Sequence, residues 1–165
     1  MPKEIERKFL VNRLCPVDIE KARSSMKMGG KANGYDFRII EQAYLTTDPV
    51  IRVRRDNKDH YLTYKGEGLL EREEYDLPLT KEAYESLKAK ADGNIIRKKR
   101  VLIPLDDGHT VELDIFAEPF DDLTVAEVEF SSLEESKDFK APDWFDEEVT
   151  GDKSYSNSSL SRERF

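Results

Sequence analysis

The segment Glu4-Ile5-Glu6-Arg7-Lys8 carries four charged side chains and one apolar side chain, and we interpret it with the period of two of a β-strand. Successive side chains of a strand point to opposite faces, so Glu4, Glu6 and Lys8 share one face. Ile5 and Arg7 lie on the other. Two carboxylates and an ammonium on one face fit either a solvated surface or the wall of a binding site. The charge patterns of the other predicted strands distinguish between these two interpretations.

The composition indicates a folded domain that accommodates many charges. The chain has 165 residues, of which 38% are hydrophobic and 38% are charged. This length predicts a single domain over residues 1–165 with enough chain to form a core. A formal net charge of −8 argues against a nonspecific nucleic-acid binder, because such a protein needs positive potential. It does not exclude a local basic pocket.

Cysteine content and hydropathy indicate a cytoplasmic protein. Cys15 is the only cysteine, which excludes an internal disulfide and a metal site built from several thiolates. The first residues contain no apolar signal-peptide core, and no apolar run is long enough to cross a membrane. We therefore expect a cytoplasmic location and no membrane partner.

Eight segments alternate with period two and predict β-strands. They lie at residues 3–12, 39–46, 50–56, 60–66, 70–78, 95–103, 109–117 and 124–131. The links 56–59 and 106–108 are short and rich in Asn, Asp and Gly, which predicts tight hairpins. Neighbouring strands are therefore expected to be antiparallel.

Helical periodicity is weaker and predicts four helices, at residues 16–28, 81–91, 131–139 and 152–165. The first two carry apolar stripes, and Thr80 can act as the N-cap of the second. Ser131 and Glu134 predict a capping box for the third. The fourth is polar and rich in serine.

The charged faces of the strands carry side chains of one sign in pairs. These pairs are Glu4/Glu6, Arg52/Arg54, Lys98/Arg100 and Glu127/Glu129. Like charges two residues apart on one face repel each other, so a stabilising surface would not repeat the arrangement. A single pair would favour a solvated face, whereas the whole set favours a site.

Eight antiparallel strands can close into a barrel, which removes exposed sheet edges. If the apolar side faced inward, the helices at 16–28 and 81–91 would have no apolar surface to cover. If the charged side faces inward, these helices pack outside on the apolar face. That face includes Ile5, Val53, Leu62, Leu113 and Val128. We therefore predict an α+β fold in which a closed barrel surrounds a hydrated, charged tunnel.

A tunnel with basic and acidic walls suits a complex of metal and polyphosphate. Arginine and lysine bind phosphate oxygens, and arginine can do so bidentately. Clustered Asp and Glu without His or Cys suit hard divalent cations such as Mg²⁺ or Mn²⁺. Because unpaired buried charge is costly, we expect the ligand to stabilise the fold.

Taken in chain order, these segments resemble the CYTH family, the triphosphate tunnel metalloenzymes, whose ExExK signature matches residues 4–8. The other matching segments are Ile51–Arg54, Thr63–Lys65, Arg72–Asp76, Lys98–Arg100, Glu112–Asp114, Ala126–Phe130 and Glu148–Tyr155. The chain length and the segment Gln42–Thr47 are most similar to the small single-domain bacterial members. The segment 155–160 is similar to a C-terminal helix that closes one tunnel end in relatives.

The resemblance implies an eight-stranded antiparallel tunnel that binds a triphosphate group with a divalent metal. It assigns phosphate binding to Lys8, Arg52, Arg54, Lys65, Lys98 and Arg100. It assigns metal binding to Glu4, Glu6, Asp114, Glu127 and Glu129. The accessory candidates are Arg72, Glu74, Asp76 and Glu112. Tyr44 matches a tyrosine proposed as a proton acceptor, and the catalytic candidates are Tyr44, Glu4, Glu6 and Lys8. An ordinary tyrosine pKa near 10 makes that role demanding, and a metal-bound water needs less help.

The function implied by the resemblance is hydrolysis of a terminal phosphoanhydride, with inorganic tripolyphosphate as the first candidate substrate. Relatives also include thiamine triphosphatases, class IV adenylyl cyclases and RNA triphosphatases, so ATP and thiamine triphosphate stay open as ligands. A noncatalytic sensor of polyphosphate or nucleotide would bind without turnover. A carrier of the lipocalin type is disfavoured, because its interior would be apolar. Dimers occur among relatives, which leaves a homodimer open.

Several charged residues are expected to lie outside the tunnel. Alternation places Arg7, Arg97 and Lys99 on the outer face, the last two as a solvated pair. His60 and His109 lie at hairpin ends and are expected to be solvated turn residues.

Overall fold

Nine strands, four α-helices and one 3₁₀ turn make up the described part of this computed structural model, residues 3–68 and 70–164. The strands are β1 (Lys3–Val11), β2 (Phe37–Thr47), β3 (Val50–Asp56), β4 (Asp59–Lys65), β5 (Glu71–Pro78), β6 (Ile96–Pro104), β7 (Thr110–Phe116), β8 (Thr124–Glu129) and β9 (Phe145–Glu148). The helices are α1 (Ile19–Arg23), α2 (Lys81–Lys88), α3 (Leu133–Asp138) and α4 (Asn157–Ser161), with the 3₁₀ turn at Lys153–Tyr155. Within these ranges, every helix is too short or too polar to cross a bilayer.

Eight of the strands form a closed antiparallel barrel, as predicted. Their order is β5-β4-β3-β2-β6-β7-β8-β1, and β1 also pairs with β5. This closing seam is short and joins Lys3, Glu4 and Ile5 to Glu73, Arg72 and Glu71. The strand β9 was not predicted, because its sequence Phe-Asp-Glu-Glu shows no alternation. It pairs with the far end of β1.

The apolar side chains lie on the outside of the barrel, under the helices. Tyr84 of α2 is fully buried against Ala43 and Val53. Ala22 of α1 belongs to a larger cluster whose other members include Ile5, Leu113, Val128, Trp144 and Phe145. The outer face of the wall is therefore the core of this fold, and the inner face is free to carry charge.

All four helices differ in extent from the prediction, and α2 ends at Lys88 rather than at residue 91. Helix α1 covers five residues of the predicted 16–28, because Asp18 caps it and two serines and two glycines follow. Helix α3 uses Ser132 as its N-cap, one residue later than predicted, and the side chain accepts a hydrogen bond from the Glu135 N–H. The predicted helix at 152–165 is a 3₁₀ turn followed by α4, and Phe165 lies outside the described residues.

Two expectations for the outer face are wrong, and two are confirmed. Lys99 is buried rather than solvated, because its Nζ donates to the Ala22 carbonyl at 2.7 Å. His109 is held between two carboxylates rather than solvated, with Nε2 2.6 Å from Glu135 Oε1. Arg7 lies outside the tunnel and pairs with Glu148. Arg97 is exposed and pairs with Glu41.

The C-terminal segment sits at one end of the barrel. Asn94 fixes it there, because the Asn94 N–H donates to the Ser161 carbonyl and its side-chain amide donates to the Leu160 carbonyl. Leu160 packs with Tyr44, Ile96 and other buried side chains. The start of α4 thereby reaches the interior of the barrel.

Candidate active site

A polar cavity occupies the interior of the barrel. Its lining residues are Glu4, Glu6, Lys8, Tyr44, Val50, Arg52, Arg54, Lys65, Arg72, Glu74, Arg100, Glu127, Glu129, Ser156, Asn157 and Ser158. These side chains come from strands β1 to β6 and β8 and from the N-cap and first two residues of α4. The alternation of each strand points them inward, as the pairing of charges along the sequence predicted.

Four residues assigned to the site from sequence are not among these lining residues. Lys98 and Asp114 are fully buried beside the cavity and bind each other. Asp76 is exposed and accepts a hydrogen bond from the Thr63 hydroxyl. Glu112 lines a neighbouring surface pocket together with Glu129, and it pairs with Arg100.

Three carboxylates converge at one place in the cavity. Glu4 and Glu6 come from β1, and Glu129 of β8 lies directly opposite Glu6 in the sheet. One carboxylate oxygen from each of the three lies within 4.8 Å of the others. Oxygen donors in a group of this size are what hard divalent cations such as Mg²⁺ and Mn²⁺ bind.

The pKa values of Glu6 and Glu129 also indicate a cation site. Burial, with Glu127 and Glu4 nearby, raises the pKa of Glu6 to about 8. Burial, with Glu112 and Glu4 nearby, raises the pKa of Glu129 to about 7. Carboxylates crowded in this way retain protons because their negative charges lack enough compensation. A bound cation would supply that compensation, so the donor set fits a metal ion.

Glu4 differs from the other two carboxylates because it has basic partners. Lys65 Nζ lies 3.0 Å from Glu4 Oε1, and Arg72 Nε lies 3.5 Å from the same oxygen. Burial alone would raise the pKa of Glu4, but Lys65 and Arg72 outweigh burial and hold that pKa well below its usual range. Glu4 is therefore ionised and links the acidic group to the basic side chains of the neighbouring wall.

Arg52 and Arg54 on β3 form a basic wall without acidic partners. Both are buried, and within residues 3–68 and 70–164 neither has a carboxylate oxygen within 4.0 Å. Arg54 instead donates from Nε and Nη2 to Gln42 Oε1, at 2.9 and 2.6 Å. Arg52 lies directly opposite Tyr44 in the sheet. These two guanidinium groups are available to an anion.

Arg100 and Lys98 on β6 are already neutralised. Arg100 donates to both carboxylate oxygens of Asp114 at 2.8 and 2.9 Å, and it also contacts Glu127 and Glu112. Lys98 Nζ lies 2.6 Å from Asp114 Oδ2. Burial would raise the pKa of Asp114, but Arg100 and Lys98 hold it well below its usual range. Both oxygens of Asp114 are therefore engaged by cations.

Lys8 stands between the acidic group and Glu127. Its Nζ lies 3.7 Å from a carboxylate oxygen of Glu6 and 3.7 Å from one of Glu127. Burial lowers the pKa of Lys8, but Glu127 and Glu6 together raise it above its usual value. Lys8 is therefore charged in the tunnel and lies next to the candidate metal ligands.

Sequence reasoning did not assign roles to two amides, Gln42, which is buried, and Asn157, which is partly buried. Gln42 shares the inner face of β2 with Tyr44, a spacing that could have indicated its position. Asn157 lines the cavity and accepts a hydrogen bond from Lys98 Nζ at 3.3 Å. The resemblance placed its segment, 155–160, at a tunnel end, but no pattern in the sequence indicated this amide as a partner of Lys98.

Comparison with known proteins agrees with this geometry. The family model of the CYTH domain matches residues 2–162. The inorganic triphosphatase of Nitrosomonas europaea is 36% identical over 160 residues, which cover 95% of each chain. The inorganic triphosphatase of Acetivibrio thermocellus is 36% identical over 163 residues, which cover 97% of this chain and 94% of that protein.

A solved structure gives the same result. The crystal structure of an inorganic triphosphatase matches with a TM-score of 0.65 and 33% sequence identity. The match covers 99% of this chain and 97% of that one. The closed barrel, the inward-facing charges and a family match over nearly the whole length lead to one conclusion: the chain belongs to the CYTH domain family.

Proposed function

We propose that this protein is a divalent-metal-dependent triphosphatase that hydrolyses inorganic tripolyphosphate and releases phosphate. One observation carries the proposal: two buried arginines, which have no carboxylate oxygen within 4.0 Å in the described part of the chain, share a cavity with three crowded carboxylates. An anion of high charge would neutralise the arginines, and a cation would neutralise the carboxylates. A metal–triphosphate complex supplies both.

The basic wall would bind the phosphate groups. Arg52 and Arg54 present guanidinium groups, which match phosphate oxygens in geometry and stay charged when buried. Lys8 and Lys65 add ammonium groups near the acidic group. In phosphoryl transfer most of the rate enhancement comes from positioning and from stabilising charge on the phosphoryl oxygens. We assign that role to these four residues.

Glu4, Glu6 and Glu129 would hold the metal. When bound there, a divalent cation would lower the pKa of a coordinated water and offset charge on the phosphate oxygens. Both Mg²⁺ and Mn²⁺ prefer oxygen donors, so either ion fits this group. The family resemblance also assigned Asp114 and Glu127 to the metal. Their present partners, Arg100 and Lys98 or Lys8, favour a role in holding the basic side chains.

Tyr44 remains the candidate that orients the attacking water or accepts its proton. It lines the cavity beside Arg52, and 3% of its surface is exposed. Arg72 and Glu74 are accessory residues at the closing seam, where Arg72 contacts Glu4. Arg100 lines the cavity and stays a phosphate-binding candidate, whereas Lys98 lies beside the cavity, bound to Asp114.

The lining of the cavity favours an inorganic substrate. Tyr44 and Val50 are its two lining residues with large apolar surfaces, in the part of the chain that the structure describes. A nucleobase or the rings of thiamine would need apolar or aromatic surface to pack on. The segment Ser156–Ser158 also lines the cavity, so one end leaves little room for an organic substituent. Two relatives that are inorganic triphosphatases support the same choice.

A substrate panel tests the proposal. Phosphate release is measured with tripolyphosphate, ATP and thiamine triphosphate, each with Mg²⁺ or Mn²⁺, and cyclic AMP is measured with ATP. We expect the highest kcat/KM with tripolyphosphate, no cyclic AMP, and loss of activity in EDTA and in Glu6→Gln. Full activity in EDTA would refute the metal requirement. Tight binding without turnover would make the protein a sensor.

Location and assembly follow as predictions from the same proposal. A polyphosphate hydrolase with these features is expected in the cytoplasm, which cell fractionation can check. The resemblance leaves a homodimer open, and sedimentation of the purified protein would distinguish it from a monomer.

A further inference from the structure

Gln42 is the acceptor that fixes Arg54. Both side chains are buried, and they lie opposite each other on β2 and β3. Two nitrogens of Arg54 donate to one amide oxygen of Gln42. Because arginine only donates hydrogen bonds, this contact fixes the orientation of the amide, with oxygen toward Arg54 and nitrogen away from it.

A carboxylate occupies the corresponding place beside Arg100. Asp114 lies opposite Arg100 on the neighbouring strand, as Gln42 lies opposite Arg54, and it also accepts two hydrogen bonds. The two acceptors differ in charge. Asp114 neutralises its arginine, whereas the neutral amide of Gln42 orients Arg54 and leaves its positive charge uncompensated.

The amide at position 42 leaves a polar atom without a partner. Gln42 Nε2 is buried and has no hydrogen-bond partner within residues 3–68 and 70–164. A buried donor without a partner costs stability. A glutamate here would have no such donor and would form an ion pair with Arg54. The amide is therefore the less stable choice for the empty protein, which calls for a functional reason.

We infer that Gln42 is a positioning residue for substrate binding: it holds Arg54 in place for phosphate without neutralising it. This inference rests on the proposed function, because it takes the ligand of Arg54 to be a polyphosphate. It adds that the choice of an amide over a carboxylate at this position sets the affinity of the tunnel for polyanions. Gln42 does not itself line the cavity and acts through Arg54.

The substitution Gln42→Glu separates this role from a purely structural one. Glutamate has nearly the same shape and still accepts both hydrogen bonds from Arg54, so a structural role would be preserved. Our inference predicts a thermal midpoint at or above that of the wild type. It also predicts affinity weaker by roughly 10- to 100-fold, because the added negative charge opposes the anion.

The binding probe is imidotriphosphate with Mg²⁺, measured by calorimetry, because its P–N–P bridges resist hydrolysis. Leu77→Glu is the matched control. It adds the same charge on the outer face of β5, where the side chain is 59% exposed. We expect this control to bind as the wild type does.

A second variant keeps the inference testable if Gln42→Glu does not fold. Gln42→Met removes the acceptor for Arg54 without adding charge, and it should weaken binding by about 3- to 10-fold. Affinity within threefold of the wild type in Gln42→Glu, or in Gln42→Met if the first variant does not fold, would overturn the inference. Absence of binding to the wild-type protein would instead refute the proposed function.

Discussion

Two walls of this barrel carry the same residue types and differ in what those residues can do. On β3, Arg52 and Arg54 alternate on the inner face and have no acidic partner in the described residues. On β6, Lys98 and Arg100 alternate in the same way, and Asp114 binds both. The positive charge of the first wall is available to a ligand, whereas that of the second is internally balanced. The neighbouring strand decides the function of each pair.

The largest effect on stability should come from removing the charge of Asp114, which balances Lys98 and Arg100 on β6. Asp114→Asn leaves Arg100 and Lys98 buried without their main partner, which should cost about 3–5 kcal/mol of unfolding free energy. Chemical denaturation measures this loss. Asp76→Asn is the control, because Asp76 is exposed and the amide oxygen can still accept the hydrogen bond from Thr63. A loss for Asp114→Asn no larger than that of the control would mean that the two cations are not held by Asp114.

Removing a cation from the wall formed by Arg52 and Arg54, the free wall, should reduce activity more than stability. Arg54→Ala should lower kcat/KM for tripolyphosphate by roughly 100- to 1,000-fold, because it removes a donor that stabilises transferred charge. The empty protein should lose less stability than in Asp114→Asn, because relief of the repulsion between Arg52 and Arg54 offsets part of the loss of the hydrogen bonds to Gln42. Arg97→Ala on the outer face is the control and should retain activity. Equal losses of stability in Arg54→Ala and Asp114→Asn would contradict the proposal that one wall has available positive charge and the other is internally balanced.

Sequence alone predicted which faces carry charge, but it did not predict which charges are balanced. The alternation in residues 4–8 and the pairs Arg52/Arg54 and Lys98/Arg100 are local patterns, so the barrel and its charged interior followed from them. The neutralisation of Arg100 depends on the register between β6 and β7, which brings Asp114 opposite it. The predicted hairpin at 106–108 sets that register. The partner of Arg54 depends instead on β2 and β3, whose pairing contains a shift in register between Tyr44 and Thr46 that no local pattern indicated.

The same limit explains the errors outside the tunnel. Lys99 was expected in solvent because strand alternation places its side chain on the outer face of the barrel. The side chain does lie on that face. It is buried because α1 packs over that face and the Ala22 carbonyl accepts a hydrogen bond from Lys99 Nζ. The strand β9 was not predicted because pairing with β1 and burial of Phe145 stabilise it, and its own sequence does not alternate.

Ligand binding should stabilise the protein through the free wall. At a concentration one hundred times its dissociation constant, imidotriphosphate with Mg²⁺ should add about 2.7 kcal/mol. For a chain of this length, that corresponds to a rise in the thermal midpoint of roughly 5–10 °C. Differential scanning fluorimetry measures the shift. It should vanish in Arg54→Ala, and a shift of equal size in that variant would show that Arg54 does not bind the ligand.

The smallest effect should come from a charge cluster outside the barrel, where solvent screens the charges. His109 Nδ1 lies 2.9 Å from Asp107 Oδ2, and Nε2 contacts Glu135. The hydrogen bond with Asp107 outweighs burial and, with Glu135, raises the pKa of His109 above 6.5. Because the folded-state pKa is the higher one, this contribution to stability is complete below about pH 6.5 and is lost as the pH rises through the folded-state pKa.

The test compares the unfolding free energies of the wild type and His109→Gln at about pH 6 and about pH 8.5. The difference between the two proteins should be larger at the lower pH, because only protonated His109 pairs with both carboxylates. Glu135→Gln should reduce that dependence while keeping the histidine, which isolates the ion pair from the contacts of the ring with Phe130 and Phe139. If the difference is the same at both pH values, His109 stabilises the fold by packing alone. The charged walls of the tunnel would then be the structure's main electrostatic feature.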